Sequence, residues 1–219
     1  MKSNISWACQ KTSIKDEGED VAEAIRVRKA RVVSNGLYKN NQGTSATILE
    51  GLNEEMSIVS VNTVSGPPHS QSPYCSELVG ILATLLHTKT LCTKHNITEG
   101  EITIACDGQN ALNESKYKGP VKVTASNSDL LTTIRYLVKT IPIDIRWHWV
   151  KGHQDNNGTS ISTLDFWAQR NILCDGLAKI HWNITKENAE TVPIDNSFQL
   201  YTSTKKSLHN LIRMLFMLY

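Results

Sequence analysis

Three acidic residues of this 219-residue chain stand where they could act together, namely Glu77, Asp107 and Asp175. Glu77 lies near the start of a predicted long helix, Asp107 directly follows a predicted strand, and Asp175 lies on the last predicted helix. Carboxylates that converge from separate elements can hold two divalent ions about 4 Å apart, which activate a water and stabilise a leaving oxygen. The pattern therefore indicates metal-assisted hydrolysis of a phosphodiester.

Taken singly, each candidate also has a simpler interpretation. A lone glutamate on a helix, such as Glu77, is usually a solvated surface residue, and an aspartate after a strand, such as Asp107, usually caps a helix. His153 is open to interpretation as a plain loop histidine, but its Lys-Gly-His-Gln setting after a tryptophan-rich strand favours a function. Its neighbours Lys151 and Asp155 are interpreted as solvated loop residues.

Hydrophobic periodicity predicts the elements that must carry these residues. Three β-prone runs separated by Gly and Asn clusters predict a meander, and two later strands alternate with helices whose apolar residues recur every three or four positions. This order is typical of a mixed α/β sheet covered by helices. The predicted strands are 31–34, 44–49, 56–64, 101–106 and 143–149, and the predicted helical segments are 78–86, 128–140 and 164–180.

Local signals predict how the helices begin and which faces they present. The Ser-Pro pair at 72–73 predicts the start of the first long helix, and Ser126 and Asn127 are capping candidates for the second. Asn171 and Asp175 are four residues apart, which places both on one face of the last helix.

The tryptophans are candidates for either the core or a base-stacking platform. Trp147 and Trp149 both fall on the apolar side of the alternation in strand 143–149, so we expect them in the core. The sequence around Trp167 and Trp182 favours neither interpretation.

Composition restricts the class of protein. With 40% hydrophobic residues, 20% charged residues and a net charge of +2, the chain resembles an ordinary soluble globular protein, and a nucleic-acid partner would need local basic patches. Five scattered cysteines without a Cys-x-x-Cys pair predict neither a disulfide framework nor a zinc site, and favour the cytoplasm or nucleus over secretion. The apolar stretches are shorter than the roughly 20 residues that span a bilayer, so no membrane partner is expected.

The length predicts one domain with tails. Residues 1–30 mix charges with few large apolar groups, which predicts a charged N-terminal arm outside the core. Residues 31–182 would form the domain. Residues 183–219 would form a peripheral tail with a short amphipathic helix near its end, carried by Leu208, Leu211, Ile212 and Leu215.

The order and surroundings of the candidate residues resemble the ribonuclease H family from about residue 31 to residue 182. The resemblance is closest to the ribonuclease H regions at the ends of retrotransposon reverse transcriptases. The segments that carry it are Val-Ser-Asn-Gly at 33–36, Ser-Glu-Leu at 76–78, Ala-Cys-Asp-Gly-Gln at 105–109, Val-Lys-Gly-His at 150–153 and Asn-Ile-Leu-Cys-Asp-Gly-Leu-Ala at 171–178.

The resemblance implies a fold, an activity and roles for particular residues. It implies a ribonuclease H-like α/β fold with a central five-stranded mixed sheet flanked by helices, and hydrolysis of the RNA strand of an RNA–DNA hybrid with Mg²⁺, or Mn²⁺, as cofactor. Three of the family's four metal-binding acids match Glu77, Asp107 and Asp175. His153 matches a mobile-loop histidine that assists proton movement or product release. Gly36 and Gln109 match positions that touch the hybrid in the minor groove, where 2′-hydroxyls distinguish RNA from DNA.

The sequence departs from the family at the first acid. Where the family has Asp-Gly-Ser, this chain has Asn35, Gly36 and Leu37, and the missing aspartate is the one that bridges both metals. An asparagine offers one neutral carbonyl oxygen and an amide that repels cations, so binding of the metal pair should weaken. Pro73 stands where the family often has an asparagine that contacts nucleic acid.

Two functional hypotheses follow. The first is a metal-dependent ribonuclease of RNA–DNA hybrids that is impaired because Asn35 replaces the first catalytic aspartate. The second is a catalytically silent, nucleic-acid-binding ribonuclease H-like module derived from a retroelement. Integrases and transposases share the fold and use acids, but they lack an early-helix glutamate like Glu77, which makes them a weaker third interpretation.

Overall fold

A computed structural model describes residues 6–9, 11–66, 68–122, 124–154 and 160–186 of the chain. Six strands and five α-helices make up its regular structure, joined by short 3₁₀ turns. The strands are β1 (Lys11–Ser13), β2 (Ala30–Lys39), β3 (Gln42–Glu50), β4 (Ile58–Thr63), β5 (Glu101–Cys106) and β6 (Asp144–Trp149). The helices are α1 (Glu19–Arg26), α2 (Pro73–Lys94), α3 (Gln109–Lys116), α4 (Ser128–Thr140) and α5 (Phe166–Thr185).

The strands form one mixed sheet in the order β1-β4-β3-β2-β5-β6. Strands β2, β3 and β4 pair antiparallel as the predicted meander, while β5 and β6 continue the sheet in parallel with β2. The ribonuclease H-like α/β fold class is therefore confirmed. The sheet has six strands instead of five, because β1 adds an antiparallel edge strand to β4.

Both faces of the sheet are covered, which follows from the alternation of its side chains. Val32 packs into the larger core with α1, α2, α3 and α4, whereas its neighbour Val33 packs into a smaller core with α5. Residues of β3 are buried along the whole strand, as expected for a strand covered on both faces. Among the helices of the described ranges, α5 thus covers one face without a neighbour and can carry its side chains toward β2.

The two covering helices begin where predicted, but by different means. Ser72 caps α2 by accepting a hydrogen bond from the N–H of Cys75, and Pro73 occupies the first turn, where a missing N–H costs nothing. Asn127 precedes α4 in a left-handed conformation with φ of +56° and makes no side-chain cap. Asparagine adopts the left-handed conformation more readily than most residues, so Asn127 suits this position through its backbone and not through a side-chain cap.

The prediction that the first 30 residues lie outside the core is wrong for the part that is described. Strand β1 pairs with β4, and α1 buries Val21, Ala22, Ala24 and Ile25 completely. Although α1 has only two turns, these four apolar residues are enough to pack it against the larger core. At the other end, α5 runs to Thr185, and the predicted amphipathic helix of the tail lies outside the described residues.

Helix α3 follows directly after Asp107-Gly108 and was not predicted from the sequence. It buries only Ala111, Leu112 and Ser115, which is too few apolar positions to produce a recognisable stripe. None of the helices in the described ranges is both long and apolar enough for a transmembrane span.

His87 on α2 provides a pH-dependent contribution to stability. The side chain is 7% exposed, its Nε2 has no hydrogen-bond partner among the described residues, and burial lowers its pKa to about 4. Because the unfolded chain takes up a proton near pH 6.5 and the folded chain does not, acid favours unfolding. We expect stability to fall by on the order of 3 kcal/mol as the pH drops from 6.5 toward 4. Urea titrations across this range should show the loss, and His87→Leu should reduce it, whereas an unchanged slope in that variant would contradict the assignment.

A buried ion-pair cluster fixes the start of α5 against the sheet. Glu50 at the end of β3 is 3% exposed and pairs with Arg170 of α5, while Arg31 of β2 lies 3.7 Å from its other oxygen. The guanidinium of Arg31 also covers the ring of Phe166 at 3.4 Å. The cluster sits next to Asn171 and therefore sets the position of the α5 face that reaches the candidate site.

Removing one partner of this cluster should be costly. Arg170→Leu would leave the Glu50 carboxylate buried with only a distant partner, and we expect a loss of about 3 kcal/mol in the free energy of unfolding. Replacing both with leucine should cost much less, because no charge is then left buried. Urea unfolding of the single and double variants measures this, and a single-variant loss below that of the double variant would refute the interpretation.

Candidate active site

The fold brings the sequence-predicted residues to one place at the sheet. Asn35 lies in the second half of β2, and Asp107 follows the end of the neighbouring parallel strand β5. Glu77 approaches from the first turns of α2 on one face, and Asn171 and Asp175 approach from α5 on the other. The residues are up to 140 positions apart in sequence, so only the sheet connects them.

Glu77 is held by two donors of the protein itself. The backbone N–H of Gly36 donates to Glu77 Oε1 at 3.0 Å, and the thiol of Cys106 donates to Oε2 at 3.1 Å. Burial and the charge of Asp107 raise the pKa of Glu77 to about 8, and Asp175 adds to the rise. In the protein without metal, burial and the neighbouring acids therefore favour the protonated form of the Glu77 carboxyl.

Asp107 is joined to α5 by a hydrogen bond. The amide of Asn171 donates to Asp107 Oδ2 at 3.2 Å, which orients the carboxylate. Burial raises the pKa of Asp107, with a further contribution from Asp175, while the hydrogen bond from Asn171 and the charge of His153 oppose the rise. Two partly buried acids that repel each other are a feature typical of sites that take up a cation.

Asn35 completes a chain of amides that ends on Asp107. Its Nδ2 donates to Asn171 Oδ1 at 3.2 Å, and Asn171 in turn donates to Asp107. Both asparagines are buried, at 5% and 3% exposure. The neutral residue at the position of the family's first acid thus takes part in the site as a hydrogen-bond donor, and brings no negative charge to it.

Asp175 lies one turn along α5 from Asn171 and is engaged elsewhere. Its carboxylate pairs with Lys179 on the following turn of the same helix. It is still near enough to raise the pKa of both Glu77 and Asp107 by charge repulsion. Because it is tied to a lysine, a metal ion would have to compete with that cation for it.

The loop after β6 brings His153 near the acids. Its charge lowers the pKa of Asp107, the side chain is exposed, and its backbone has φ of +53°. The preceding Gly152 lies so close to the site that an added Cβ would be 2.7 Å from Asp107 Oδ2. His153 therefore stands at the open, solvent-exposed side of the site.

Two glycines are required for the close approach of the elements. A Cβ on Gly36 would lie 2.5 Å from the backbone nitrogen of Glu77, and one on Gly108 would lie 2.7 Å from Glu77 Cγ. The contact at Gly36 is with backbone and would force α2 away from β2, whereas the contact at Gly108 would displace the Glu77 side chain. The glycines thus allow Glu77 to approach Asp107, and the Gly36 N–H is already used by Glu77.

The positions expected to touch a hybrid surround this site. Gln109 is exposed at the first position of α3, and Pro73 is exposed at the first position of α2. Leu37 is half-buried and packs on the core beneath α5. Leu37 therefore offers no polar group where the family has a small polar residue.

Two residues of the site were missed or misinterpreted in the sequence. Cys106 is fully buried, and burial together with Glu77 raises the pKa of its thiol well above the ordinary value, so the thiol stays a donor. Its position directly before Asp107 was the available signal. Trp149 was predicted to be core but is 47% exposed, and its Nε1 donates to the backbone oxygen of Asp107 at 3.1 Å. Its strand is an outer one, where alternation does not ensure burial.

Trp147, Trp167 and Trp182 pack as apolar side chains. Trp182 is 6% exposed and donates from Nε1 to the backbone oxygen of Lys39 at 3.1 Å. Trp147 and Trp167 are half-buried against the two cores, and Trp167 lies 4.6 Å from the ring of His148.

The donor atoms fit one divalent ion better than two. Among the described residues, Glu77, Cys106 and Asp107 form a group whose ligand atoms all lie within 4.8 Å of one another. The two carboxylates suit Mg²⁺ or Mn²⁺, whereas a protonated thiol is a poor ligand for either. Asp175 stands outside this group and Asn35 is neutral, so the donor set does not fit a bridged pair of ions.

Comparisons with known proteins find likeness in structure alone. No family model matches the sequence, and no match is found among curated proteins. One similar solved structure is the N-terminal ribonuclease H domain of a Mycobacterium tuberculosis protein, solved as a fusion with maltose-binding protein. The sequence identity is 16%, the alignment covers 73% of this chain and 99% of that chain, and the TM-score is 0.49. Another is LC11-RNase H1 in complex with an RNA/DNA hybrid, with 8% identity, 57% and 86% coverage, and a TM-score of 0.45. The order and direction of its own strands give this chain a ribonuclease H-like fold.

Proposed function

We propose that this chain is a ribonuclease H-type domain that recognises RNA–DNA hybrids and whose metal-dependent hydrolysis of the RNA strand is impaired by Asn35. One observation carries the proposal: the Asn35 amide reaches Asp107 through Asn171 in hydrogen bonds of 3.2 Å each. The residue at the position of the first acid is therefore part of the site, and its lack of charge bears directly on the metals.

The charges support impairment rather than full activity. Two dications would be opposed by Glu77, Asp107 and Asp175 at most, and Asp175 is shared with Lys179. In the metal-free protein Glu77, with its pKa near 8, must also lose a proton before it can bind an ion. An ion held by Glu77 and Asp107 would supply a Lewis acid for the phosphate and an activated water.

The chain's own residues would prepare this site. The Gly36 N–H orients the Glu77 carboxyl, and the Asn171 amide orients that of Asp107. His153, exposed on the open side, would receive or deliver a proton or accompany product release. Gln109 at the start of α3 would contact the hybrid, where a polar side chain can meet a 2′-hydroxyl.

A specific observation also favours the second candidate, a silent hybrid-binding module that descends from a retroelement. Each acid already meets a donor of the protein: Glu77 the Gly36 N–H and the Cys106 thiol, Asp107 the Asn171 amide, and Asp175 the Lys179 ammonium. Such a network satisfies the acids in the absence of metal and stabilises the fold without turnover.

Binding and cleavage by the unmodified chain test the proposal together. We expect a labelled RNA–DNA hybrid to bind more tightly than the DNA duplex of the same sequence, and to be cut slowly or not at all at millimolar Mg²⁺. Fluorescence anisotropy measures the first and gel analysis of the RNA strand measures the second. Gln109→Ala should reduce the preference for the hybrid. Equal affinity for both duplexes would contradict the proposed recognition.

A further inference from the structure

A groove beside β6 forms a second site, separate from the acids. It has a volume of about 730 Å³ and lies between the end of α3, the second half of α4 and β6. Asp144, at the start of β6, aligns with Glu101, five residues before Cys106 on β5. Trp147, which also lines the groove, aligns with Ile104, so the groove runs along β6 to within two residues of Cys106, or roughly 7 Å at about 3.3 Å for each strand residue, and none of the candidate acids lines it.

The groove combines an apolar floor with exposed aromatic rims. Ile145 and Trp147 of β6 and Val138 of α4 are half-buried and form its floor. Tyr117 and Tyr136 stand at its sides with 57% and 63% of their surface exposed. Flat rings left open to solvent in this way can stack on another planar group.

The charges around the groove are unbalanced. Lys116, Lys118 and Lys139 line it, all three are exposed, and no carboxylate of the described ranges lies within ion-pair distance of any of them. The remaining charges are matched, since Arg135 pairs with Glu114 at 2.8 Å and Asp144 pairs with Arg28 at 3.5 Å. Three unpaired lysines in a chain with a net charge of +2 make this a locally positive surface.

Part of the groove is held in shape before any ligand arrives. The guanidinium of Arg135 lies 5.0 Å from the centre of the Tyr117 ring and donates to the backbone oxygen of Gly119 at 2.8 Å. The loop after α3 is thereby fixed to α4 with the tyrosine ring beside it. A ring that is already in place loses little side-chain entropy on binding.

We propose that this groove binds single-stranded nucleic acid. The three lysines match the phosphates of a polyanion, and the two tyrosines offer stacking faces for bases, the combination by which proteins hold single strands. The volume suits a nucleotide-sized unit. An acidic peptide would satisfy the lysines but would leave the paired aromatic rims unexplained. The site does not depend on the hydrolytic function proposed for the acids.

Anisotropy of a fluorescein-labelled oligothymidylate, measured with the full chain in EDTA, tests the proposal without involving metal at the acids. Lys116→Glu together with Lys139→Glu should weaken binding at least about tenfold and flatten its dependence on salt. Tyr136→Ala should weaken it at least about fivefold, whereas Tyr136→Phe should keep the affinity. The matched control is Lys11→Glu with Lys15→Glu, two exposed lysines at the opposite edge of the sheet, which should change the affinity far less.

Because all the changed side chains are exposed, we expect every variant to fold. Circular dichroism and thermal unfolding check this for each variant. Undetectable binding by the unmodified chain would overturn the proposal. Equal losses of oligonucleotide affinity in the groove variants and the control variant would also overturn it, because the lysines would then act through general charge and not at a defined site. Polyglutamate that displaces the oligonucleotide from the groove at similar concentration would show an acidic polypeptide to be the ligand and would overturn it as well.

Discussion

Asn35→Asp is expected to raise Mg²⁺-dependent cleavage of the RNA strand of a hybrid by roughly 10²- to 10³-fold, the effect of one well-placed charge on a transition state. The new carboxylate would replace the amide that now donates to Asn171 Oδ1, and because it has no hydrogen to donate it would lose that hydrogen bond and leave its oxygens free to bind a divalent ion with Asp107. An anionic oxygen there offsets the repulsion between two cations, which a neutral amide cannot do. The measurement is the initial rate of cleavage of a labelled hybrid at millimolar Mg²⁺.

A readout apart from activity accompanies this change. Without metal, an additional carboxylate near Glu77 and Asp107 should lower the melting temperature, and Mg²⁺ or Mn²⁺ should raise it more in the variant than in the unmodified chain. Asp107→Asn in the restored background is the control and should abolish cleavage. If the unmodified chain cuts as fast as the variant, Asn35 does not occupy the bridging position.

A third outcome would favour the silent module. If neither protein cuts while both are folded and bind hybrid, more than one change separates this chain from an active enzyme. Leu37, half-buried where a small polar residue is expected, and Pro73, exposed at the start of α2, are then the next positions to change. The hydrogen bonds that occupy Glu77 and Asp175 would be the physical reason for the loss.

His153→Ala in the Asn35→Asp background is expected to slow cleavage by roughly 10²- to 10⁴-fold, the contribution of a general acid or base. His153 is exposed in the loop after β6 and influences Asp107 by charge, but it does not belong to the group of close metal-binding atoms. The melting temperature and the Mg²⁺ affinity should therefore stay nearly unchanged. Rate measurements with and without added imidazole separate lost proton transfer, which imidazole rescues, from lost structure.

Lys151→Ala is the matched control for the loop. Its side chain is exposed two residues before His153, and no contact with the acids involves it, so the rate should change little. Weakened Mg²⁺ binding in His153→Ala would show that the histidine holds metal and that its assignment to proton traffic is wrong.

Residue patterns predicted a mixed α/β sheet and the elements that carry the candidate acids, and the resemblance to the ribonuclease H family implied the particular fold. β-prone runs between Gly and Asn clusters predicted β2 to β4, whereas alternation with a period of two predicted β5 and β6 and an apolar stripe predicted α2 and α4. Burial of one face imposes these periods directly on the residues. The position of Asp107 at the end of a parallel strand could be predicted for the same reason. Residue types also predicted the missing charge at Asn35, since that requires no geometry.

Elements with few apolar residues could not be predicted in this way. Helix α1 is buried by Val21, Ala22, Ala24 and Ile25, but these are small or few, and the charges between them suggested a solvated arm. Trp149 follows the alternation of its strand and is still exposed, because β6 is at the edge of the sheet. Burial depends on what covers a face, and local sequence does not contain that information.

The hydrogen-bond partners of the site residues depend on how the elements pack, and could not be predicted. Asn35 and Asn171 are 136 positions apart, Gly36 and Glu77 are 41 apart, and Cys106 and Glu77 are 29 apart, yet each pair shares a hydrogen bond. The sequence could place an acid on each element but could not state which donor each acid would meet. Hydrogen bonds form between atoms a few ångströms apart, and only the packing of α2 and α5 on opposite faces of the sheet sets those distances.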